Sequence, residues 1–315
     1  MDQREKQSLS VVVPLYNEEG VVKELYHRLT KVLEELKTDY EIVIVNDGSN
    51  DQTPEIVKGT CRQDKRVKLI SFSRNFGHQL AITAGIDKSV GDAVVVIDGD
   101  LQDPPEVIAE LKQKWDEGFE IVYARRKKRK GESLFKLATA AIFYRTMKIL
   151  VPVDIPLDTG DFRLMDRKVV DQLKKMREKN RFIRGMVSWL GFRHCIVEYV
   201  REPRFAGETK YPLKKMVKFA LDGILSFSEI SLKLSSFMGF ICSIVSFIFI
   251  IYGLFVKIFT PEQAIPGWAS VFVSVLFLGG IQLICIGILG EYVGRIYDET
   301  KKRPLYIIDE EINFN

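Results

Sequence analysis

The chain has 315 residues, 28% charged and 46% hydrophobic, which excludes a disordered protein and allows a sizeable packed core. Its net charge of +4 is too small an excess to imply nucleic acid as a partner. Four cysteines without a CxxC pair and three scattered histidines (His27, His78, His194) argue against a disulfide scaffold and leave no histidine metal site legible from spacing.

The amino terminus, MDQREKQSLS, is polar and has no apolar stretch of a signal peptide, so the first domain is expected to stay in the cytoplasm. SLSVVVPLY then reads as a buried strand, and EEGVVKELYHRLTKVLEELK as an amphipathic helix with acids early and lysines late. YEIVIVNDGS is a second strand. TPEIVKGTCRQ is a helix expected to open with Thr53 as N-cap and Pro54 at its first position. VKLISFS, HQLAITAGIDKSV, DAVVVIDGD, PPEVIAELKQKWDEG and EIVYARR continue the alternation of strand and helix. Such alternation predicts an α/β fold, a doubly wound, mainly parallel sheet whose ligands bind beyond the carboxyl ends of the strands. The polar residues collect there: Asn17-Glu18-Glu19, Asn46-Asp47 and Asp98 to Asp103.

Residues 234–294 read differently. Phe237 to Val256 holds 20 residues without a charge and Val271 to Leu289 holds 19; each approaches the ~20 residues that cross a bilayer as a helix. The linker carries Pro261, Pro266, Gly267 and Trp268, as in a tight hairpin with an interfacial tryptophan. Lys214, Lys215, Lys218 and Lys233 precede the hairpin and Arg295, Lys301, Lys302 and Arg303 follow it, which predicts that both its ends are cytoplasmic. The expected layout is a catalytic domain over 1–211, interfacial amphipathic helices over 212–233, two spans near 235–257 and 270–293, and a cytoplasmic tail over 295–315. The stretch before the first span mixes bases with an apolar face; it fits a helix lying in the membrane interface, the alternative being a surface helix of the soluble domain.

Asp98-Gly99-Asp100 follows the strand AVVVI. On extended backbone, residues i and i+2 project to one side, so the two carboxylates are expected to converge and to hold a hard divalent cation between them. Gly99 would leave room for a ligand. A Walker B acid is the rival reading, but neither GxxxxGK[ST] nor GxGxxG occurs in the chain.

VVVPLYNEE, VNDGS, SRNFGHQLAITAG, VIDGDLQDPP and TGDFRLMDR, in this order, resemble the family 2 glycosyltransferases of GT-A fold, in the subgroup similar to dolichyl-phosphate mannose synthase. NRFIRGMVSWLGF, REPRFAGETKYPLKK and the paired apolar segments resemble the bacterial polyprenyl-phosphate glycosyltransferases. The resemblance implies that Pro14, Tyr16, Glu18, Asp47, Asp98, Gly99, Asp100 and Gln102 bind the nucleotide-sugar, with Asp98 and Asp100 holding Mg2+ or Mn2+. Taken alone, Tyr16 also fits core packing and Asp47 an Asx-turn cap. Asp161 matches an acid near the sugar and the nucleophile. A lipid phosphate has a second pKa near ~6 and hardly needs a base, so Asp161 is expected to act as general base or to orient acceptor or sugar. Arg126, within the basic run 125–130, is matched to the leaving diphosphate. Arg181, Arg184, Arg204, Lys210 and Tyr211 are candidates for gripping phosphate.

The function implied is a membrane-bound inverting transfer of one sugar from a nucleotide-sugar, UDP favoured, to a polyprenyl (undecaprenyl) phosphate for cell-envelope glycosylation. No QxxRW motif of processive synthases is present. The alternatives are transfer to another lipid, such as diacylglycerol, or a non-catalytic membrane assembly protein. Partners are the donor, the lipid acceptor and the bilayer; a homo-oligomer is compatible with this reading.

Overall fold

The computed structural model describes residues 7–127, 156, 159–202, positions scattered between 235 and 259, and 267–314. Two compact units emerge: residues 1–226 together with 304–315, and residues 227–303.

In the first unit, β1 (Leu9–Leu15), β2 (Tyr40–Asn46), β3 (Val67–Phe72) and β4 (Ala93–Val96) are built from β-branched runs buried on both faces. Helices α1 (Val22–Glu35), α2 (Thr53–Gln63), α3 (His78–Lys88) and α4 (Val107–Asp116) connect or follow them. α1 buries Val22, Leu25, Leu29, Val32 and Leu33, one stripe at helical spacing. β5 (Ile121–Arg126), β6 (Thr159–Asp166), α5 (Arg167–Lys175), α6 (Ile183–Trp189), β7 (His194–Tyr199) and, near the carboxyl terminus, β8 (Ile308–Ile312) complete the unit.

The eight strands form one sheet in the order β7-β5-β6-β4-β1-β2-β3-β8. It is mainly parallel, with six of the eight strands running in one direction and two reversed. β6 runs antiparallel to both β4 and β5, and β8 antiparallel to β3. The chain reaches β6 at the carboxyl edge and runs back, so the first residues of β6 join the strand-end loops that follow β1 and β4. The strand order reverses between β1 and β4, the place where open α/β sheets hold ligands.

One local expectation needs correction. Thr53 is the first residue of α2 rather than its N-cap; its N donates to Asp51 Oδ1 at 3.0 Å, while its hydroxyl receives Glu18 N at 2.9 Å. The carboxyl-terminal segment adds a strand to the sheet. β8 pairs with β3, and Tyr306 stacks on Phe72 with ring centroids 5.1 Å apart.

In the second unit, α7 (Trp268–Thr300) carries Phe277–Thr300, the one helix among the described residues that is long and apolar enough to cross a membrane. Its apolar side chains, such as Leu283, Ile286 and Val293, are exposed. The described positions between 235 and 259 are helical, but the expected two-span hairpin is represented by a single candidate span. The end of the basic run, the amphipathic segment 133–151, the phosphate-loop candidates Arg204, Lys210 and Tyr211, and the interfacial segment 212–233 lie outside the described residues.

Candidate active site

The β4–β6 register pairs Val96 with Arg163; continued past the end of β4, it brings Asp98 opposite Asp161. Two facing carboxylates repel, and cations fill the space around them. His78 Nε2 lies 3.2 Å from Asp161 Oδ2 and 3.3 Å from Asp98 Oδ1. Arg184, on α6, donates from Nε to Asp161 Oδ1 and from Nη2 to Oδ2, both at 3.0 Å. Gln79 donates to Asp161 Oδ2 at 3.3 Å, and its own carbonyl receives Ile183 N at 3.1 Å, tying α3 to α6. Arg163, almost wholly buried, reaches Asp161 Oδ1 at 3.4 Å from below.

These contacts separate the two acids electrostatically. Burial pushes both carboxyls up. For Asp161, Arg184 and His78 outweigh burial and hold it well below the usual carboxylate range. Asp98 lacks such support: burial raises its pKa to about 6, opposed by His78 and reinforced by Asp103, Asp161 and Asp100. Burial pulls His78 down, but the hydrogen bond to Asp161 and the charges of Asp98 and Asp161 lift it to about 9. Asp98 Oδ1 is buried without a hydrogen-bond partner.

The position of His78 depends on Asp47. The Asp47 carboxylate is buried and accepts from Phe76 N at 2.7 Å and Gly77 N at 3.0 Å, fixing the loop that launches α3 with His78 as its first residue. Asp47 thus braces a distant loop, which is not the local Asx-turn of the alternative reading. His78 was not legible as a site residue from histidine spacing; it lies 83 positions from Asp161 in the chain and meets it only through the fold.

The turn after β4 differs from expectation. β4 ends at Val96, so strand alternation does not reach Asp100. Asp100 Oδ1 instead accepts from Gln102 N at 3.1 Å. Leu101 takes the left-handed conformation at φ 55°, unusual for a leucine. Packing also constrains Gly99: a Cβ there would lie 2.2 Å from Leu15 Cδ2 and 3.1 Å from Pro14 O. Among the described residues, the potential ligand atoms that come within 4.8 Å of one another belong to His78, Asp98 and Asp161. The Asp98 and Asp161 carboxylates offer oxygens that fit a divalent cation of the Mn2+ type, and His78, raised to about 9, would join them as a ligand only after losing its proton.

Arg126 stands beside this group. It donates from Nε to Tyr199 OH at 3.0 Å and contacts Asp103 Oδ2 at 3.3 Å; Tyr199 OH also donates to Asp103. Its side chain crosses Gly160, where a Cβ would lie 2.9 Å from Nη2. Burial opposes its charge, but Asp103, Tyr199 and Asp98 raise its pKa. Arg181 points elsewhere, donating to Met176 O, with its Nε buried and unpartnered.

On the same edge of the sheet, a cavity of about 440 Å³ opens over β1, β2 and β3. Tyr16, Asn46, Ser49 and Ser71 line it. The loops around it are joined: Asn17 N donates to Ser49 Oγ at 2.9 Å and Asn50 N to Asn17 Oδ1 at 2.8 Å. At ~4.8 Å per strand, this cavity and the acid cluster stand on the order of 10–15 Å apart.

Comparison with known proteins adds the following. The sequence model of Glycosyl transferase family 2 matches residues 10–174. An uncharacterized glycosyltransferase, YkcC, of Bacillus subtilis (strain 168) is 56% identical over 96% of this chain and 93% of its own. A prophage bactoprenol glucosyl transferase homolog of Escherichia coli (strain K12) is 45% identical over 95% of this chain and 98% of its own. Among solved structures, glucosyl-3-phosphoglycerate synthase from Mycobacterium tuberculosis in complex with uridine diphosphate matches with a TM-score of 0.48 at 16% identity, covering 70% of this chain and 79% of that one.

Proposed function

The chain belongs to glycosyl transferase family 2, and on that footing we propose that it is a membrane-bound inverting glycosyltransferase that moves one sugar from a nucleotide-sugar, UDP-linked by preference, to a polyprenyl phosphate of the undecaprenyl type. The observation that carries the reading is the opposition of Asp98 and Asp161 at the ligand edge of the sheet, with Arg184, His78 and Arg126 around them. Relatives named bactoprenol glucosyl transferase, 44–45% identical along nearly their whole length, support the lipid acceptor.

The chemistry follows from the charges. A phosphate monoester is mostly a dianion at neutral pH, its second pKa being about 6, so an acceptor oxygen attacks without losing a proton. The bond from the anomeric carbon to the donor phosphate breaks on the opposite face, and the nucleoside diphosphate leaves. A group whose proton affinity is as low as that of Asp161 is a poor general base. Asp161 acts instead by holding Arg184 and His78 toward the reacting phosphates, where fixed positive charge stabilises the transition state. Arg126, steadied by Asp103, faces the departing diphosphate. Asp98, whose Oδ1 accepts no hydrogen bond, would hold Mg2+ or Mn2+ together with Asp100, and the ion would neutralise charge on the leaving group.

Chain topology supports a membrane hairpin. Both ends of the second unit lead into the first, which suits a segment that would enter and leave a bilayer on the same side. If α7 crosses, the apolar run 237–256 is the return partner, and the catalytic unit and both termini share the cytoplasmic side.

The test is the full-length protein in lipid vesicles with undecaprenyl phosphate and a panel of nucleotide-sugars, the product read by mass. Formation of a polyprenyl-phosphate sugar is expected with one donor. Transfer to diacylglycerol alone, or none with any donor, rejects the reading.

A further inference from the structure

We infer that the strand following the membrane unit, β8, forms one wall of the nucleoside pocket, and that Asp309 on it accepts hydrogen bonds from the neutral donors of the nucleoside. This rests on the reading of the substrate as a nucleotide-sugar.

The cavity at the ends of β1–β3 is bounded on its outer side by Asp309 and Glu310. The β3–β8 register explains why. Leu69, Ile70 and Ser71 face Ile312, Glu311 and Glu310 in turn, but Phe72 faces Ile308. Asp309 is therefore the extra residue of a bulge, the device by which a strand re-aims a side chain. Glu310 is neutralised by Lys58 at 3.0 Å, another residue of the cavity wall. The Asp309 side chain makes no hydrogen bond or ion pair among the described residues and is exposed. A free carboxylate at this end repels phosphate and accepts from ribose hydroxyls or a base N–H. The nucleoside accordingly lies against β8, and its diphosphate runs toward Asp98 and Arg126.

Contacts along the whole tail hold β8 in place. Besides stacking on Phe72, Tyr306 donates to Asp87 at 2.8 Å. Ser73 N donates to Ile307 O at 3.1 Å. Lys88 pairs with Glu311 at 2.8 Å, and Asn313 Nδ2 donates to the carbonyls of Cys61 and Val67. Because β8 comes after the membrane unit, a chain that stops before it lacks part of the donor site.

The experiment compares the full chain with Asp309→Ala, Asp309→Asn and a stop after Arg303. Calorimetry measures binding of UDP, GDP and dTDP, and steady-state assays measure KM for donor and for undecaprenyl phosphate. Asp309→Ala is expected to weaken the preferred nucleotide at least about fivefold and to raise donor KM in step, with acceptor KM and melting temperature unchanged. Asp309→Asn, which keeps one acceptor, is expected to fall between. The stop is expected to weaken nucleotide binding further; should it fail to fold, Asp309→Ala decides, because the side chain is exposed. Unchanged nucleotide affinity and donor KM in Asp309→Ala, with wild-type transfer intact, overturn this inference and leave the proposed function standing. A wild-type chain that binds none of the three nucleotides overturns both.

Discussion

Arg184 grips Asp161 through both carboxylate oxygens, Nε to Oδ1 and Nη2 to Oδ2, each at 3.0 Å. The pair joins α6 to the first residues of β6 and sets the charge of the candidate site. A planar guanidinium makes this fork and an ammonium does not. Arg184→Lys is therefore expected to fold and to lose transfer by at least about 100-fold, the scale for removing one preorganised electrostatic contact. Lysine activity within a few-fold of wild type would show that the fork is not needed.

Asp161→Asn acts on stability as well. It leaves Arg184 and the buried Arg163 without their counter-charge. Breaking a buried pair from one side typically costs about 3–5 kcal/mol. A melting temperature in detergent well below wild type is expected along with lost turnover; unaltered melting would mean that solvent already compensates these cations.

Asp98→Asn should behave in the opposite sense. Asp98 is driven toward its neutral form by burial, its pKa raised to about 6, and its Oδ1 has no hydrogen-bond partner. Replacing it by an amide removes a charge that burial disfavours and that His78 offsets only in part. Transfer is expected to vanish, while melting stays equal to wild type or rises. Near-normal turnover would remove Asp98 from the chemistry.

Away from the site, Glu41 links three strands. It accepts from Ser10 Oγ on β1 and from Val90 N at 2.8 Å, and pairs with Lys68 on β3 at 2.7 Å. Burial pushes its pKa up, but Lys68, Ser10 and Val90 pull harder, and the net is below the ordinary 4.5. For a carboxyl depressed in this way, the stabilisation is complete above the unfolded value and is lost as pH falls through the folded one. Glu41→Gln is expected to lower stability at neutral pH by about 1–3 kcal/mol, with the gap to wild type closing under acid. Chemical unfolding across pH measures this; a gap that does not change with pH would contradict the linkage.

Gly99→Ala tests packing beneath the acidic turn. The new methyl would meet Leu15 Cδ2 at 2.2 Å, and overpacking of this kind costs typically about 1–3 kcal/mol. Leu15→Ala by itself is expected to cost about 2–5 kcal/mol, and the double variant is expected to lose less than the sum of the two single losses. Additive loss in the double variant would place the strain elsewhere.

The sequence by itself determined the alternating strands and helices of the first unit, the apolar segments of the second, and the placing of Asp98 and Asp161 at strand ends. Each of these is written in local periodicity or in a short motif, so a window of neighbours suffices to read it. Only the tertiary structure decided that β6 runs antiparallel into the sheet, which sets Asp161 against Asp98, and that His78 and Arg184 close around them. The same holds for the tail: IDEEI carries no local sign that it pairs with β3, some 240 residues earlier. Pairing between distant segments is chosen by complementary edges, burial and charge, which exist only once the rest of the chain is in place.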